Sequence, residues 1–354
     1  MTQAEAEARA LSRLAGDELS ALPRGIGDVH AAIAGRVFGA LGPPAAPVRR
    51  VHDAISRGVY ESVGGGLWLG ARAFVRPREV PLPALAALNG LYGDRLEAEG
   101  SPLAIPMQLI GEPATPHVAV FIHGLGESEG VWGYGDRLYA DLGIAPVYVR
   151  YNSGRHISQN GALLAKLLEG LDAERITLIG HSMGGLVARA ACHHGGAWTA
   201  KVRHTVSLGT PHAGAPLEQA VHTLSAALNL APETRPLARL LRRRSAGIRD
   251  LRRGSLVDED WSGQDPDALR AKALTEVPLL ERATHCFVAA TVTRSPSHPV
   301  GRLLGDTLVL VPSASGGKAG YQREHGLELG GTHHLALLDH PAVYAQLRRW
   351  LSAD

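Results

Sequence analysis

The chain has only two cysteines, Cys192 and Cys286, in 354 residues. Secreted folds that depend on disulfides carry many more cysteines for their length, so a disulfide framework is excluded and at most one bridge could form. We expect both residues to be buried thiols. The fold must therefore be held together by packing and not by cross-links.

Long apolar runs and a strongly charged surface are also missing. No stretch reaches the roughly 20 apolar residues needed to cross a bilayer, and the N-terminus lacks a basic segment followed by an apolar core. The net charge is only +2, so the chain lacks the basic face that nucleic-acid binding requires. We therefore expect a cytoplasmic protein without a nucleic-acid partner.

The sequence does contain enough helical and strand patterns for one large domain with additions. Helical patterns cover residues 4–22, 29–41, 51–74 and 81–100. The segment 51–74 is interrupted by charges, which indicates a helix that packs on the protein; a helix lying on a membrane surface is the alternative. We assign residues 1–100 to an N-terminal helical extension and residues 101–354 to a second, larger domain.

Short apolar runs alternate with helical patterns from residue 101 onward. Strands are predicted over 103–110, 117–122, 145–150, 176–179, 202–208, 285–292 and 307–311. Because the strands are mostly continuous apolar runs, we predict a mostly parallel sheet covered by helices on both faces. A terminal helix is predicted from Pro341. The fold class is therefore α/β.

An insertion of about residues 213–281 follows the strand at 202–208. It begins with apolar residues at helical spacing, and eight arginines follow between residues 235 and 253. Ligands of parallel sheets bind at the carboxyl ends of the strands, so an insertion there indicates a helical lid. We interpret the arginines as a solvated face; attraction to anionic lipid or substrate is the alternative.

The most informative stretch is RITLIGHSMGGLVARA, residues 175–190. It contains G-x-S-x-G between a strand pattern and a helical pattern. Gly180 and Gly184 permit the tight turn that exposes Ser182, and the helix start supplies free N–H groups beside it. This context predicts a nucleophilic serine.

Ser182 needs a general base, and that base needs a carboxylate to orient it, because a serine hydroxyl is a weak nucleophile near neutral pH. Histidine is the expected base, and acid and base should follow the serine on later strand-end loops. Asp306 lies at a turn before an apolar run, and His334 lies in a Gly-rich loop before the last helix. We predict Asp306 as the orienting acid and His334 as the base, with His333 in reserve.

The oxyanion formed by such a reaction requires two hydrogen-bond donors. We expect one from the backbone N–H of Met183, directly after the serine. The other should come from the Gly-rich loop 123–126, where we nominate the N–H of Leu125. Cys192 and the two histidines after it lack a spaced partner for a metal site. We predict no cofactor and no metal.

Taken as a set, these motifs resemble those of α/β-hydrolases of the bacterial lipase type. The motifs are GHSMGG at 180–185, HGLG at 123–126, GTPH at 209–212, GDTLV at 305–309 and His334-Leu335. The arrangement is also similar to GPI inositol-deacylase-like hydrolases, which share the GTPH turn. The resemblance covers about residues 101–352. It implies the α/β-hydrolase fold, a triad of Ser182, Asp306 and His334, and esterase or lipase activity on acyl esters.

The resulting hypothesis is a hydrolase that cleaves a small-molecule or lipid ester through an acyl-enzyme. Contact with a membrane or lipid interface is compatible with the Arg-rich insertion. Two alternatives stay open: an acyltransferase or thioesterase acting on lipid-like substrates, and a hydrolase fold that serves only for binding.

Overall fold

A computed structural model describes residues 2–41, 79–215, 244–264, 273–298, 305–316 and 320–352, with short pieces between residues 43 and 66. The chain divides into two compact units. The first unit comprises Met1–Pro81, Gly100–Leu103 and Ala220–Arg243; the second comprises Leu82–Glu99, Ala104–Gln219 and Arg244–Asp354.

The described part of the first unit is dominated by one long helix, α1 (Gln3–Leu41). The sequence predicts two helices here, but the helix continues through the segment between them. Within α1, Glu7 is buried and accepts the backbone N–H of Val80 at 3.0 Å. Most of the helix predicted over 51–74 lies outside the described residues.

The second unit is built on a seven-stranded sheet. Its strands are β1 (Gln108–Ile110), β2 (His117–Ile122), β3 (Ala145–Arg150), β4 (Arg175–His181), β5 (Val202–Leu208), β6 (Thr284–Thr291) and β7 (Gly326–Gly330). The strand order is β1-β3-β2-β4-β5-β6-β7; β1 pairs with β3 antiparallel, and all other pairs are parallel. The predicted mostly parallel α/β sheet is therefore confirmed.

Helices cover both faces of this sheet. The helices in the described part of the unit are α2 (Leu82–Ala98), α3 (Gly135–Leu142), α4 (Ile157–Glu169), α5 (Met183–His194), α6 (Ala246–Leu251), α7 (Val311–Ala314) and α8 (Pro341–Leu351). On β2, Val118, Val120 and Ile122 belong to the core formed with α4 and α5. Ala119 and Phe121 belong to the core formed with α3 and α8. Because successive strand residues point to opposite faces, an unbroken apolar strand fills both cores.

Helix α2 belongs to the second unit, although its sequence position before residue 101 predicts a place in the N-terminal extension. The side chain of Asn89 accepts the N–H of Ile105 at 2.9 Å. Asn152, which follows β3, donates to the carbonyl of Gly93 at 2.8 Å, and a Cβ at Gly93 would collide with the Asn152 side chain. A glycine and buried amide groups thus let α2 pack closely on this unit.

The strand predicted over 307–311 is wrong. Thr307 has φ of 90°, and the Asp306 carboxylate accepts the N–H groups of Leu308 and Val309, so the chain turns and then enters α7. The edge strand β7 was not predicted, because GLELG has two glycines and only two apolar residues. Hydrogen bonds between the Asp306 side chain and the backbone therefore replace the predicted strand at 307–311. Pairing with β6 makes residues 326–330 a strand.

The predicted insertion is only partly described. Residues 216–243 and 265–272 lie outside the described residues, so the lid stays a prediction. Both cysteines are free thiols; Cys286 is buried as expected, whereas Cys192 is partly buried. None of the described helices combines the length and apolar character needed to cross a membrane.

Candidate active site

Ser182 stands at the sharp turn between β4 and α5. Its φ of 52° and ψ of −122° lie in a region that residues with side chains rarely adopt. A Cβ at Gly180 would collide with the backbone of Gly185, and a Cβ at Gly184 would collide with the carbonyl of Ile122. Glycine is therefore required on both sides of the serine, because the turn brings helix and strands into backbone contact.

Asp306 and His334 are in direct contact. Nδ1 of His334 lies 2.6 Å from Oδ2 of Asp306, and both side chains are buried. The other carboxylate oxygen accepts the N–H groups of Leu308 at 3.0 Å and Val309 at 2.8 Å, so both oxygens of the acid are fixed. His333, the reserve base, is exposed and caps its own short helical turn. Of the two adjacent histidines, His334 is thus the one that contacts the acid.

The second ring nitrogen of His334, Nε2, is buried and has no hydrogen-bond partner among the described residues. Its ring lies against Gly209, where a Cβ would come within 3.1 Å of Nδ1 and Cε1. The residue before Gly209, Leu208, accepts the N–H of Ser182 at 2.9 Å. The imidazole therefore lies beside the strand end that is bonded to Ser182, with one nitrogen still available.

The loop after β2 approaches the serine from the other side. A Cβ at Gly124 would lie 3.1 Å from Cβ of Ser182. The N–H of Gly124 donates to the Glu127 carboxylate at 2.7 Å, and the N–H of Gly126 donates to Ser153 Oγ at 2.9 Å. Leu125 lies between these two occupied amides. Its N–H makes no hydrogen bond within the described part of the chain.

The N–H of Met183 is the other expected oxyanion donor. Met183 is the first residue of α5, where N–H groups have no partner within the helix. The positive end of the α5 dipole lies at this N-terminus and favours negative charge there. Neither the Leu125 N–H nor the Met183 N–H has a hydrogen-bond partner among the described residues.

A histidine and a partly buried carboxylate form a pair next to the serine that the sequence does not predict. Nδ1 of His181 lies 3.0 Å from Oε2 of Glu127, and Nε2 of His181 lies 3.3 Å from the carbonyl oxygen of His334. Burial acts to raise the pKa of Glu127, but hydrogen bonds and charge from His181 and the Gly124 amide outweigh it and lower this pKa. The carboxylate is therefore ionised. It joins the Gly124 N–H of the Gly-rich loop to His181 of the serine turn, and His181 in turn contacts the carbonyl of His334.

Helix α2 packs closely against the Gly-rich loop. A Cβ at Gly90 would come within 2.9 Å of the backbone of Gly126. The carbonyl of Gly90 accepts the hydroxyl of Ser245 at 2.6 Å, and Ser245 caps α6 through the N–H of Ile248. The small residue at position 90 in the sequence was the available signal for this close approach. The loop that carries Leu125 is thus braced by a helix that precedes the sheet.

No set of three or more His, Cys, Asp or Glu side chains within the described ranges could hold a metal ion. A family model described as a PGAP1-like alpha/beta domain matches residues 165–272. The matched segment contains Ser182, but neither Asp306 nor His334. A comparison with curated protein sequences gives no match.

Several solved structures are similar to this chain at low identity. The mature form of a lipase from Bacillus licheniformis is 19% identical, with 70% of this chain and 97% of that chain covered and a TM-score of 0.43. A lipase-esterase related protein from Clostridium acetobutylicum is 15% identical, with 70% and 99% covered and a TM-score of 0.41. A carboxylesterase from Bacillus subtilis is 14% identical, with 70% and 88% covered and a TM-score of 0.40.

The sheet order, the helices on both faces and the serine turn between β4 and α5 are those of an α/β-hydrolase. The matched family model is of the same class. The chain therefore has the α/β-hydrolase fold, as its motifs predict.

Proposed function

We propose that this protein is a serine hydrolase that cleaves carboxylic esters through an acyl-enzyme intermediate. In this proposal Ser182 is the nucleophile, His334 is the general base and acid, and Asp306 orients His334. The observation that carries the proposal is the buried 2.6 Å contact between His334 Nδ1 and Asp306, while Nε2 of the same ring has no partner in the described part of the chain. The substrate would be an ester of a small molecule or of a lipid.

The hydrogen bond to Asp306 supports one tautomer of His334. A carboxylate can only accept, so Nδ1 carries the proton and Nε2 presents its lone pair. As Ser182 Oγ attacks the ester carbonyl carbon, Nε2 takes the hydroxyl proton and a tetrahedral oxyanion forms. Asp306 stays ionised and stabilises the imidazolium. The buried surroundings strengthen this ion pair relative to water.

The oxyanion would be stabilised by the N–H groups of Leu125 and Met183. Preorganised donors of this kind each contribute about 10²–10³-fold to the rate. The carbon–oxygen bond to the leaving alcohol then breaks, the alcohol oxygen takes the proton from His334 Nε2, and the acyl group stays on Ser182. In the second half of the reaction His334 deprotonates water, which attacks the acyl carbon, releases the acid and restores the serine.

The direct test is hydrolysis of short p-nitrophenyl esters by the wild-type protein and by Ser182→Ala. We expect the variant to lose at least about 10³-fold in kcat, with an unchanged circular dichroism spectrum. Ser158→Ala, at a serine buried on α4, is the matched control and should keep ester hydrolysis. Full activity in Ser182→Ala would refute the proposal. Measuring free acid beside p-nitrophenol, with and without a competing alcohol, would separate hydrolysis from acyl transfer.

A further inference from the structure

A largely buried cation lies on the helix behind the nucleophile and is not used in the proposed reaction. Arg189 is on α5; its Nη2 donates to the carbonyl of Val277 at 3.0 Å, and its Nη1 contacts Nδ1 of His212 at 3.2 Å. Its Nε is buried without a hydrogen-bond partner, and no carboxylate of the described residues forms an ion pair with it. A buried charge without a counter-charge is unfavourable unless something compensates it.

Arg189 and His212 each present a buried ring or guanidinium nitrogen without a hydrogen-bond partner among the described residues. Because a guanidinium can only donate, Nδ1 of His212 must accept, and the ring proton is therefore on Nε2. His212 is only 8% exposed, and this Nε2 has no hydrogen-bond partner among the described residues. The hydroxyl of Thr210 is also buried and unpartnered within the same residues. A cation with several unsatisfied donors calls for an acceptor that carries negative charge.

A small pocket next to Arg189 offers the space for such an acceptor. Its polar lining comes from Arg189, Thr205, Ser207, His285 and Tyr321. The rest of its wall is mostly apolar and comes from α5, β4, β5 and residues 278–280. The ring of Tyr321 lies 4.8 Å from the ring of His212, so the His212 side chain borders the same region. The void beside Arg189 is small.

We propose that this pocket is an anion site that binds a single halide, chloride under ordinary conditions, against Arg189. Chloride matches the three observations: it carries the missing negative charge, it accepts hydrogen bonds from several directions, and it is monatomic. Phosphate and sulfate are larger than chloride, so the small void favours the monatomic ion. A water molecule fits the space but leaves the guanidinium charge uncompensated. The site is separate from the proposed ester chemistry, and its test requires no enzymatic turnover.

The first test is thermal unfolding of the full chain at constant ionic strength while gluconate, which is too large for the pocket, is replaced by chloride. Binding to the folded state alone predicts a saturable rise in Tm of about 2–8 °C up to 0.5 M chloride. Arg189→Met should abolish the chloride-specific rise. Arg203→Met, at an exposed arginine on β5, should leave it intact.

The second test covers the case in which Arg189→Met does not fold. Crystals of the wild-type protein soaked in bromide should give an anomalous difference peak within about 3.5 Å of the Arg189 guanidinium. Such a peak, with a saturable chloride effect on Tm, supports the site. A water molecule at that position after the soak, or a Tm that depends only on ionic strength, would overturn the proposal.

Discussion

Nδ1 of His334 and Oδ2 of Asp306 are 2.6 Å apart in a buried environment, and the second oxygen of Asp306 is held by two backbone amides. The carboxylate therefore cannot rotate away from the imidazole. This relationship fixes both the position of the ring and the nitrogen that carries its proton. Substitution at position 306 should therefore change the tautomer of His334 while it changes the stability of the fold less.

Asp306→Asn tests this relationship. The amide keeps an oxygen for the two backbone N–H groups but turns an NH₂ toward His334. The ring proton therefore moves from Nδ1 to Nε2. A protonated Nε2 cannot accept the hydroxyl proton of Ser182. We expect kcat for p-nitrophenyl ester hydrolysis to fall by about 10³–10⁴-fold with little change in KM. Asp339→Asn, at an exposed carboxylate near Arg137, is the matched control and should be active. A loss of less than tenfold in Asp306→Asn would contradict the assigned role.

Glu127→Gln tests the pair beside the serine. The amide can still accept from the Gly124 N–H but loses the charge that faces His181, so the Gly-rich loop and the His334 loop should be less firmly positioned. We expect kcat to fall about 10–100-fold while KM changes less than threefold. Glu328→Gln, at an exposed position on β7, should keep wild-type kinetics.

The stability of the same pair should depend on pH. The pKa of Glu127 is lowered in the folded state, so its contribution is fully present above the unfolded pKa of about 4.3 and is lost as the pH falls through the folded pKa. The difference in unfolding free energy between wild type and Glu127→Gln should therefore be constant above about pH 5 and shrink below pH 4. A constant difference down to pH 3, measured by urea denaturation, would contradict an ionised Glu127 carboxylate with a lowered pKa.

Gly209→Ala tests the packing of the His334 ring. Gly209 has φ of 59°, and an added Cβ would press on the ring at 3.1 Å, so kcat should fall about tenfold or more. Gly143 has a similar φ of 66°, but a Cβ there would meet open space. Gly143→Ala therefore carries the same backbone strain, about 1–2 kcal/mol, without the contact. Equal kcat in the two variants would show that the effect of Gly209→Ala comes from backbone strain and not from contact with the His334 ring.

His212 should make the protein sensitive to mild acid. Burial, followed by the charge of Arg189, holds the pKa of His212 well below its usual range. Below about pH 6.5 the unfolded chain binds a proton that the folded chain does not, so this residue destabilises the fold by up to about 1.4 kcal/mol per pH unit. His212→Asn should reduce the slope of unfolding free energy between pH 6 and 5. His193→Asn, at an exposed histidine, should retain the wild-type slope.

Much of the sheet could be predicted because its strands are short apolar runs bounded by turns. The strands at 117–122, 145–150 and 202–208 have the predicted bounds. Ser182 could be identified because its glycines and flanking patterns define one particular turn. Asp306 and His334 are predicted from their chain order after Ser182 and from their places in a turn and a Gly-rich loop, and the structure brings these two side chains together. Their chemical roles stay predictions.

Two of the remaining features depend on contacts between distant segments, and a third depends on a local side-chain contact. Glu127 could not be assigned because its partner, His181, is 54 residues away in the sequence. The assignment of α2 to the second unit depends on glycines at 90 and 93, which the sequence alone does not distinguish from helix-weakening residues. Local hydrogen bonds from Asp306 overrode the apolar run that predicted a strand at 307–311. A tertiary contact outweighs the local pattern in the first two cases, and a local side-chain contact does so at 307–311.

The most direct test of the proposed chemistry is to trap the acyl-enzyme. The protein is mixed with a p-nitrophenyl ester, quenched in acid within the first turnovers, digested and analysed by mass spectrometry. We predict a burst of p-nitrophenol close to one equivalent and an acyl group on the peptide that contains Ser182. The acyl group should accumulate further when His334 is replaced by a residue that slows deacylation more than acylation. Steady ester hydrolysis with no acyl adduct at Ser182, or with the adduct on another residue, would contradict the central claim.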